Sequence, residues 1–362
     1  MSDLSSLFSP LTLGALSLPN RLIMAPMTRG RATPDAVPTP RMATYYRQRA
    51  AAGLLITEAT AISPQGVGWY RAPGIWTDEM VEAWKPVTAA VHEAGGRIAL
   101  QLWHMGRVSH PDFQPGGVLP VGPSAIAAAG QSHTPTGHKD YVTPRALDAD
   151  ELPGIVADYV HAARNAMAAG FDAVELHGAN GYLLDQFLRD RSNQRTDGFG
   201  GSIEARWRFP LEVTAAVASA IGPERTGIRL SPTNPYNDMG DSDPVASFTY
   251  GVRHLSELGL AFVHLVAPRP GHMMYDPDAP EVLGPVKEVA TVPVITNGGY
   301  DGATAEAILA SGGADAVAFG VPFLANPDFV HRVREGAELN APDFATFYAG
   351  DDKGYIDYPT LG

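Results

Sequence analysis

Eight short stretches of the chain end in residues that can bind and polarise a ligand without a metal ion. In chain order they are Pro26-Met27-Thr28-Arg29, Ala59-Thr60, Gln101-Leu102-Trp103-His104, His177-Gly178-Ala179-Asn180, Arg229-Leu230-Ser231-Pro232, Ala267-Pro268-Arg269, Asn297-Gly298-Gly299 and Gly320-Val321-Pro322. The Gln101 carboxamide offers both a donor and an acceptor, which suits a ring imide edge. Arg229 offers fixed positive charge, and Thr28 a hydroxyl for a carbonyl oxygen. Gly298, Gly299 and Gly320 let backbone N–H groups approach an anion closely. Other chemistries fit poorly. The lysines are Lys85, Lys139, Lys287 and Lys353, none at such an end, so Schiff-base chemistry has no nucleophile there. Glu58 and Glu175 lie within strands, and the mostly neutral ends give no carboxylate cluster for metal-assisted lyase chemistry. His104, His110, His133 and His138 are irregularly spaced and read as structural or solvated histidines, so no metal site is expected.

These ends gain meaning from what precedes them. Short apolar runs alternate with helical patterns, the rhythm of βαβ units. Strands are expected at 22–25, 54–58, 97–102, 173–176, 226–230, 262–266, 293–296 and 316–319. The helix after residue 148 carries a stripe of Leu152, Ile155, Val156, Tyr159, Val160, Ala163 and Met167, opened by a capping box of Asp148 and Glu151. Asp243-Pro244 reads as an N-cap followed by Pro at the first helical position. Eight such units predict an α/β fold, a closed (β/α)8 TIM barrel, in preference to an open doubly wound sheet that lacks its glycine-rich turn. The chain has 362 residues, and a barrel takes about 250. The surplus falls in an N-terminal hairpin over residues 1–20 and in long loops after strands three (104–147) and six (267–284). No linker divides the chain, so one domain over 1–362 is expected. In a barrel the strand ends share one mouth, and the last two βα turns often hold a phosphate. The constellation therefore suits a flavin mononucleotide lying across that mouth.

Composition narrows the setting. Lys and Arg number 26 against 39 Asp and Glu, a net charge of −13, which disfavours nucleic acid or an anionic membrane as partner. The absence of cysteine excludes disulfides, thiolate metal sites and a cysteine nucleophile. The N-terminus shows no secretory pattern, and no apolar run is long enough to span a bilayer. A cytoplasmic enzyme is the expectation.

Several segments carry a specific resemblance: Asn20-Arg-Leu-Ile-Met-Ala-Pro-Met-Thr-Arg29, Ile56-Thr-Glu-Ala-Thr60, Gln101-Leu-Trp-His-Met-Gly-Arg107, Glu175-Leu-His-Gly-Ala-Asn-Gly-Tyr-Leu-Leu184, Ser192-Asn-Gln-Arg-Thr-Asp197 and Gly354-Tyr-Ile-Asp-Tyr-Pro359. Over nearly its whole length the chain resembles the Old Yellow Enzyme family of FMN-dependent ene-reductases. The resemblance implies that Pro26, Met27 and Ala59 contact the flavin and that Thr28 bonds its O4. It puts Gln101 on the pyrimidine edge and Arg229 on the N1/O2 side. It gives the phosphate to Gly298, Gly299 and Gly320, and to Val321 where the family commonly has Arg. His177 and Asn180 would bind the substrate carbonyl oxygen, Tyr182 would donate the proton, and Trp69, Trp103 and Tyr355 would shape the pocket.

The implied reaction is ping-pong: NADPH or NADH gives hydride to flavin N5. The reduced flavin then reduces the activated C=C bond of an α,β-unsaturated carbonyl, nitroalkene or maleimide, with Tyr182 protonating Cα. Nitrate-ester denitration or nitroaromatic reduction on the same flavin is an alternative. So, in other classes, are a non-redox lyase or isomerase of a phosphorylated substrate and a silent flavin-binding protein. A lone histidine such as His177 is more often a satisfied core residue, but its i+3 Asn and i+5 Tyr reverse that. Ser192 to Asp197 reads as structural. Partners are expected to be small molecules, with the chain a monomer or homodimer.

Overall fold

The computed structural model describes residues 4–361. All eight expected strands form: β1 Leu22–Met24, β2 Leu54–Ile56, β3 Ile98–Trp103, β4 Ala173–Gly178, β5 Thr226–Leu230, β6 Phe262–Val266, β7 Val294–Asn297 and β8 Ala316–Phe319. Each pairs in parallel with the next in chain order, and β8 pairs with β1 through Val317 and Leu22. That last pairing closes the ring and excludes the open sheet. The strands are buried, with Asn297 at the end of β7 only partly so, because helices cover the outside and side chains fill the inside. The helices are α1 Pro40–Arg47, α2 Asp78–Glu93, α3 Leu152–Ala168, α4 Leu183–Leu188, α5 Ile203–Ile221, α6 Pro244–Glu257, α7 Leu283–Val289, α8 Gly302–Ala310, α9 Val321–Ala325 and α10 Phe329–Glu335.

Local signals act where they were read. Asp148 and Glu151 form the capping box, on a 3-10 turn that leads into α3. The buried face of α3 is turned slightly from the expected stripe: Ala162 and Ala166 are buried and Val156, Val160 and Met167 only partly so. Alanines let that side of the helix approach its neighbours closely. The Asp243 side chain accepts from Ala246 N at 2.9 Å, with Pro244 opening α6. Strand two ends earlier than expected. Glu58 lies beyond it and turns inward, accepting from Arg29 N at 3.0 Å and Gly30 N at 3.3 Å. A buried carboxylate needs such donors, and meeting that need holds the Pro26 to Gly30 loop over the barrel.

The interior is layered. At the bottom, Leu13, Leu16 and Leu18 join Ile23, Leu54, Ile56, Ala99, Ala173, Phe262, Ile295 and Ala316 in one apolar cluster. The leucines come from the expected hairpin, Leu11–Leu13 against Leu16–Leu18; residues 1–3 of the expected N-terminal segment lie outside the described residues. Period-two alternation then carries the polar residues upward: Ala99 leads to Gln101, Ala173 to Glu175 and His177, and Phe262 to His264.

The hairpin turn supplies a stability prediction. Gly14 has φ +54°, and a Cβ there would lie 2.2 Å from the Glu224 carbonyl oxygen. Gly14→Ala is expected to cost about 1–3 kcal/mol, from strain and forced displacement. Denaturant unfolding checks this; an unchanged midpoint would mean the hairpin is free to shift.

Candidate active site

A cavity of about 340 Å³ opens where the strands end. Pro26, Met27, Thr28, Ala59, Trp69, Gln101, His177, Asn180, Tyr182 and Arg229 all line it, so ten of the expected site residues meet although they lie far apart between residues 26 and 229. Gly298, Gly299, Gly320 and Val321 do not line it but stand beside it. Asn297, next to Gly298, is in the lining, and a Cβ on Gly320 would come within 3.0 Å of the Met27 sulfur. Gly298 (φ +137°) has no room for a Cβ, which would sit 2.5 Å from the Ala267 carbonyl oxygen.

Two expected wall residues are placed differently. Trp103 is buried behind the wall, its ring edge-on to Tyr182 at 4.9 Å. Tyr355 is fully buried, stacked on Tyr45 at 4.2 Å and flanked by the Arg29 and Arg31 guanidinium groups. The cause is a clamp on the C-terminal segment. Arg29 donates to the Phe347 and Gly354 carbonyls, and Arg31 to those of Phe347 and Thr346. The clamp brings a different aromatic, Tyr348, into the lining. Tyr355, expected to shape the pocket, is thus not in its lining and instead anchors the segment that presents Tyr348.

Sequence reasoning also missed His133, Asn234, Tyr236, His272, Met273 and Met274. His133 belongs to the long loop after β3, in a hairpin of Gln131–Thr134 and Gly137–Asp140, and stacks on Trp69 at 4.6 Å. No group of His, Asp and Glu among the described residues is arranged to hold a metal. His272, Met273 and Met274 come from the loop after β6. Loop residues have no strand period to betray them. The Ser192 to Asp197 motif is structural, as read: Ser192 Oγ donates to the Gln186 carbonyl and Asn193 Nδ2 to the Phe187 and Phe199 carbonyls.

The turn after β4 is built to present donors. Asn180 adopts φ +58°, a left-handed conformation that Asn tolerates better than most residues. Its backbone N donates to Ser231 Oγ at 2.7 Å, and its carbonyl accepts from Asn237 Nδ2 at 2.8 Å. Asn234 Nδ2 donates to Asn180 Oδ1 at 2.7 Å, which leaves the Asn180 NH2 group for a ligand. Among the described residues His177 Nδ1 is buried without a hydrogen-bond partner. Burial, then the Arg229 charge, holds the His177 imidazole well below its ordinary pKa, so the ring is neutral. Tyr182 is 8 % exposed, and its ring lies 4.7 Å from that of His177. Burial first, then neighbouring Tyr236, raises its hydroxyl well above the ordinary range, so it keeps its proton at neutral pH. Arg229 donates to Asn297 Oδ1 at 2.9 Å, and among the described residues its buried Nε has no hydrogen-bond partner.

The arrangement joins a broad polar floor to a wall of neutral hydrogen-bond donors. Residues 6–340 match the NADH:flavin oxidoreductase / NADH oxidase family. The chain belongs to the Old Yellow Enzyme family. It is 46 % identical to 12-oxophytodienoate reductase 1 of Oryza sativa subsp. japonica, covering 98 % of this chain and 93 % of that protein. The old yellow enzyme homologue from Zymomonas mobilis superposes with a TM-score of 0.96 at 48 % identity, covering 98 % of this chain and 99 % of the other. Morphinone reductase, whose structure is known in complex with tetrahydroNAD, superposes with a TM-score of 0.93 at 50 % identity, covering 98 % of each chain. The protein is thus an oxidoreductase of the flavin type, which removes the reading of a non-redox barrel lyase. Among the described residues no helix is long and apolar enough to cross a membrane.

Proposed function

We propose that this Old Yellow Enzyme family member binds FMN and uses NADPH or NADH to reduce the activated C=C bond of α,β-unsaturated carbonyls, nitroalkenes or maleimides. The observation that carries the reading is the meeting of His177, Asn180 and Tyr182 with Gln101 and Arg229 around one cavity. The residues fit the cofactor. Among the described residues the buried Arg229 Nε has no hydrogen-bond partner and needs a polar ligand. Thr28 suits O4 of the ring, Gln101 its pyrimidine edge and Arg229 its N1/O2 side. Pro26, Met27 and Ala59 would pack against it, and the Gly298, Gly299, Gly320 and Val321 backbone would take the phosphate. FMN, when bound, supplies the hydride chemistry.

The chain's own residues supply the polarisation. His177 and Asn180 donate to the substrate oxygen on which negative charge builds. Tyr182 gives its proton to Cα and is reprotonated from solvent. Trp69, His133 and Tyr348 bound the substrate space, and the loop carrying His272, Met273 and Met274 covers one side. We assign the enzyme to the cytoplasm and to small-molecule substrates. Anaerobic addition of NADPH to the purified protein should bleach the visible flavin band, and cyclohexenone should restore it. Absence of the band, or failure of cyclohexenone to restore it, overturns the proposal.

Val321 supplies a third prediction. It opens the short helix α9 after Gly320 and brings no charge. Val321→Arg is expected to tighten FMN by about 1–2 kcal/mol, roughly 5- to 30-fold in Kd, if the guanidinium reaches the phosphate. Added salt should shrink the gain, and turnover of fully loaded enzyme should hardly change. Calorimetric titration with FMN decides it. Equal affinities at low salt would mean that another cation already serves, such as Arg269, whose guanidinium lies 4.6 Å from the Tyr300 ring centre beside Gly299.

A further inference from the structure

Under the mouth of the barrel, one carboxylate controls how an amide is presented above it. Glu175 on β4 and Gln101 on β3 stand opposite one another in the ladder, and His264 reaches the same carboxylate from β6. Gln101 Nε2 donates to Glu175 Oε1 at 2.8 Å, and His264 Nδ1 meets Glu175 Oε2 at 2.7 Å. None of the three side chains is more than 1 % exposed. An ionised carboxylate only accepts, so Gln101 must turn its NH2 group toward it. The carbonyl oxygen sits on the other side of the same carbon and is left for the cavity that Gln101 lines. His264 occupies the second carboxylate oxygen, and among the described residues its buried Nε2 has no hydrogen-bond partner. The carboxylate also faces a cation: among neighbouring charges, Glu175 exerts the largest effect on Arg229, opposing the burial that lowers its pKa.

We propose that Glu175, anchored by His264, is a positioning residue for the cofactor site. It locks the Gln101 amide so that an acceptor meets the imide N–H of the flavin, and its negative charge disfavours the anionic reduced ring. The inference rests on the FMN reading above. Glu175 does not touch the ligand; it acts through Gln101 and through its field. Neither the ladder position nor the burial of Glu175 requires this role, since Leu or Met would fill the same interior position without the desolvation cost of a charge.

Two variants separate the parts. Glu175→Gln keeps an acceptor but removes the charge. Its flavin midpoint potential, measured on holoenzyme by reduction against a reference dye, should shift positive, with FMN release changed by less than about fivefold. Glu175→Met also removes the acceptor and frees the amide to turn. FMN release from that holoenzyme, followed by flavin fluorescence, should report a Kd weakened about tenfold or more, the scale of one charge-assisted hydrogen bond. The weakening should vanish when Gln101→Leu is already present, because the effect passes through that amide. An unchanged potential in Glu175→Gln overturns the charge role. An equal weakening by Glu175→Met with and without Gln101→Leu overturns the positioning role. Should Glu175→Met fail to fold, the potential of Glu175→Gln still tests the charge role and FMN release from Gln101→Leu the positioning role, which unchanged release in Gln101→Leu would overturn. Wild-type protein that takes up no FMN overturns the cofactor reading instead.

Discussion

Replacing Tyr182 by Phe is expected to slow the oxidative half-reaction with cyclohexenone by about 10²- to 10⁴-fold, the usual contribution of a general acid. Reduction by NADPH should stay nearly intact, because it needs no proton at that position. The phenol suits the task through its surroundings. Burial and its tyrosine neighbours raise its pKa, so the proton is present at any physiological pH, while charge building on the substrate creates the base that takes it. Phe keeps the edge-on contacts with Trp103 and His177, so the loss is chemical and the fold should persist. The wild-type oxidative rate should be flat from about pH 6 to pH 9. His177 is lowered well below its ordinary value and Tyr182 raised well above its own, so neither titrates there. In Tyr182→Phe the proton must come from solvent, and the rate should fall as pH rises. Nitroalkenes should suffer less, since a nitronate is stable enough to leave and be protonated in solution. Stopped-flow reoxidation measures all of this. A rate unchanged by the substitution would assign the proton to another donor.

The second large effect is expected from His177→Ala. Removing one preorganised donor to a developing oxyanion costs about 10²- to 10³-fold in rate. Binding of phenolic ligands and enones should weaken while FMN is retained. The neutral imidazole is favourable here: it donates without placing a full charge beside the Arg229 guanidinium. Asn180→Ala should act in the same direction, because Asn234 already occupies the amide oxygen and the NH2 group is the part aimed at a ligand. Phenol titration of the flavin spectrum checks both. Loss of flavin with normal enone affinity in His177→Ala would move that residue from the substrate to the cofactor.

Most of the barrel was legible because its signals are local. Asp148 with Glu151 and Asp243 with Pro244 start helices from within their own turns. The strand ends pointed to the site because one barrel mouth collects all of them. The errors lie where local signals stop. Glu58 reads as strand, yet its carboxylate leaves the ladder to meet the amides of Arg29 and Gly30. Tyr355 reads as a wall residue from its motif, yet arginines and Tyr45 enclose it. His133 reads as a loop histidine and nothing more, until a hairpin lays it on Trp69.

By itself the sequence determined the succession of strands and helices and the strand-end positions of Gln101, His177 and Arg229. Alternation along a strand is set by backbone geometry, so once the strands are known their inward residues follow. Only the tertiary structure decided what covers the mouth and which atoms the buried amides present. Tyr348 reaches the cavity through bonds from Arg29 to carbonyls 318 and 325 residues away. Asn234 and Glu175 orient Asn180 and Gln101 from other strands and loops. Such choices follow from satisfying buried donors and acceptors across the whole molecule, a condition that no stretch of sequence contains.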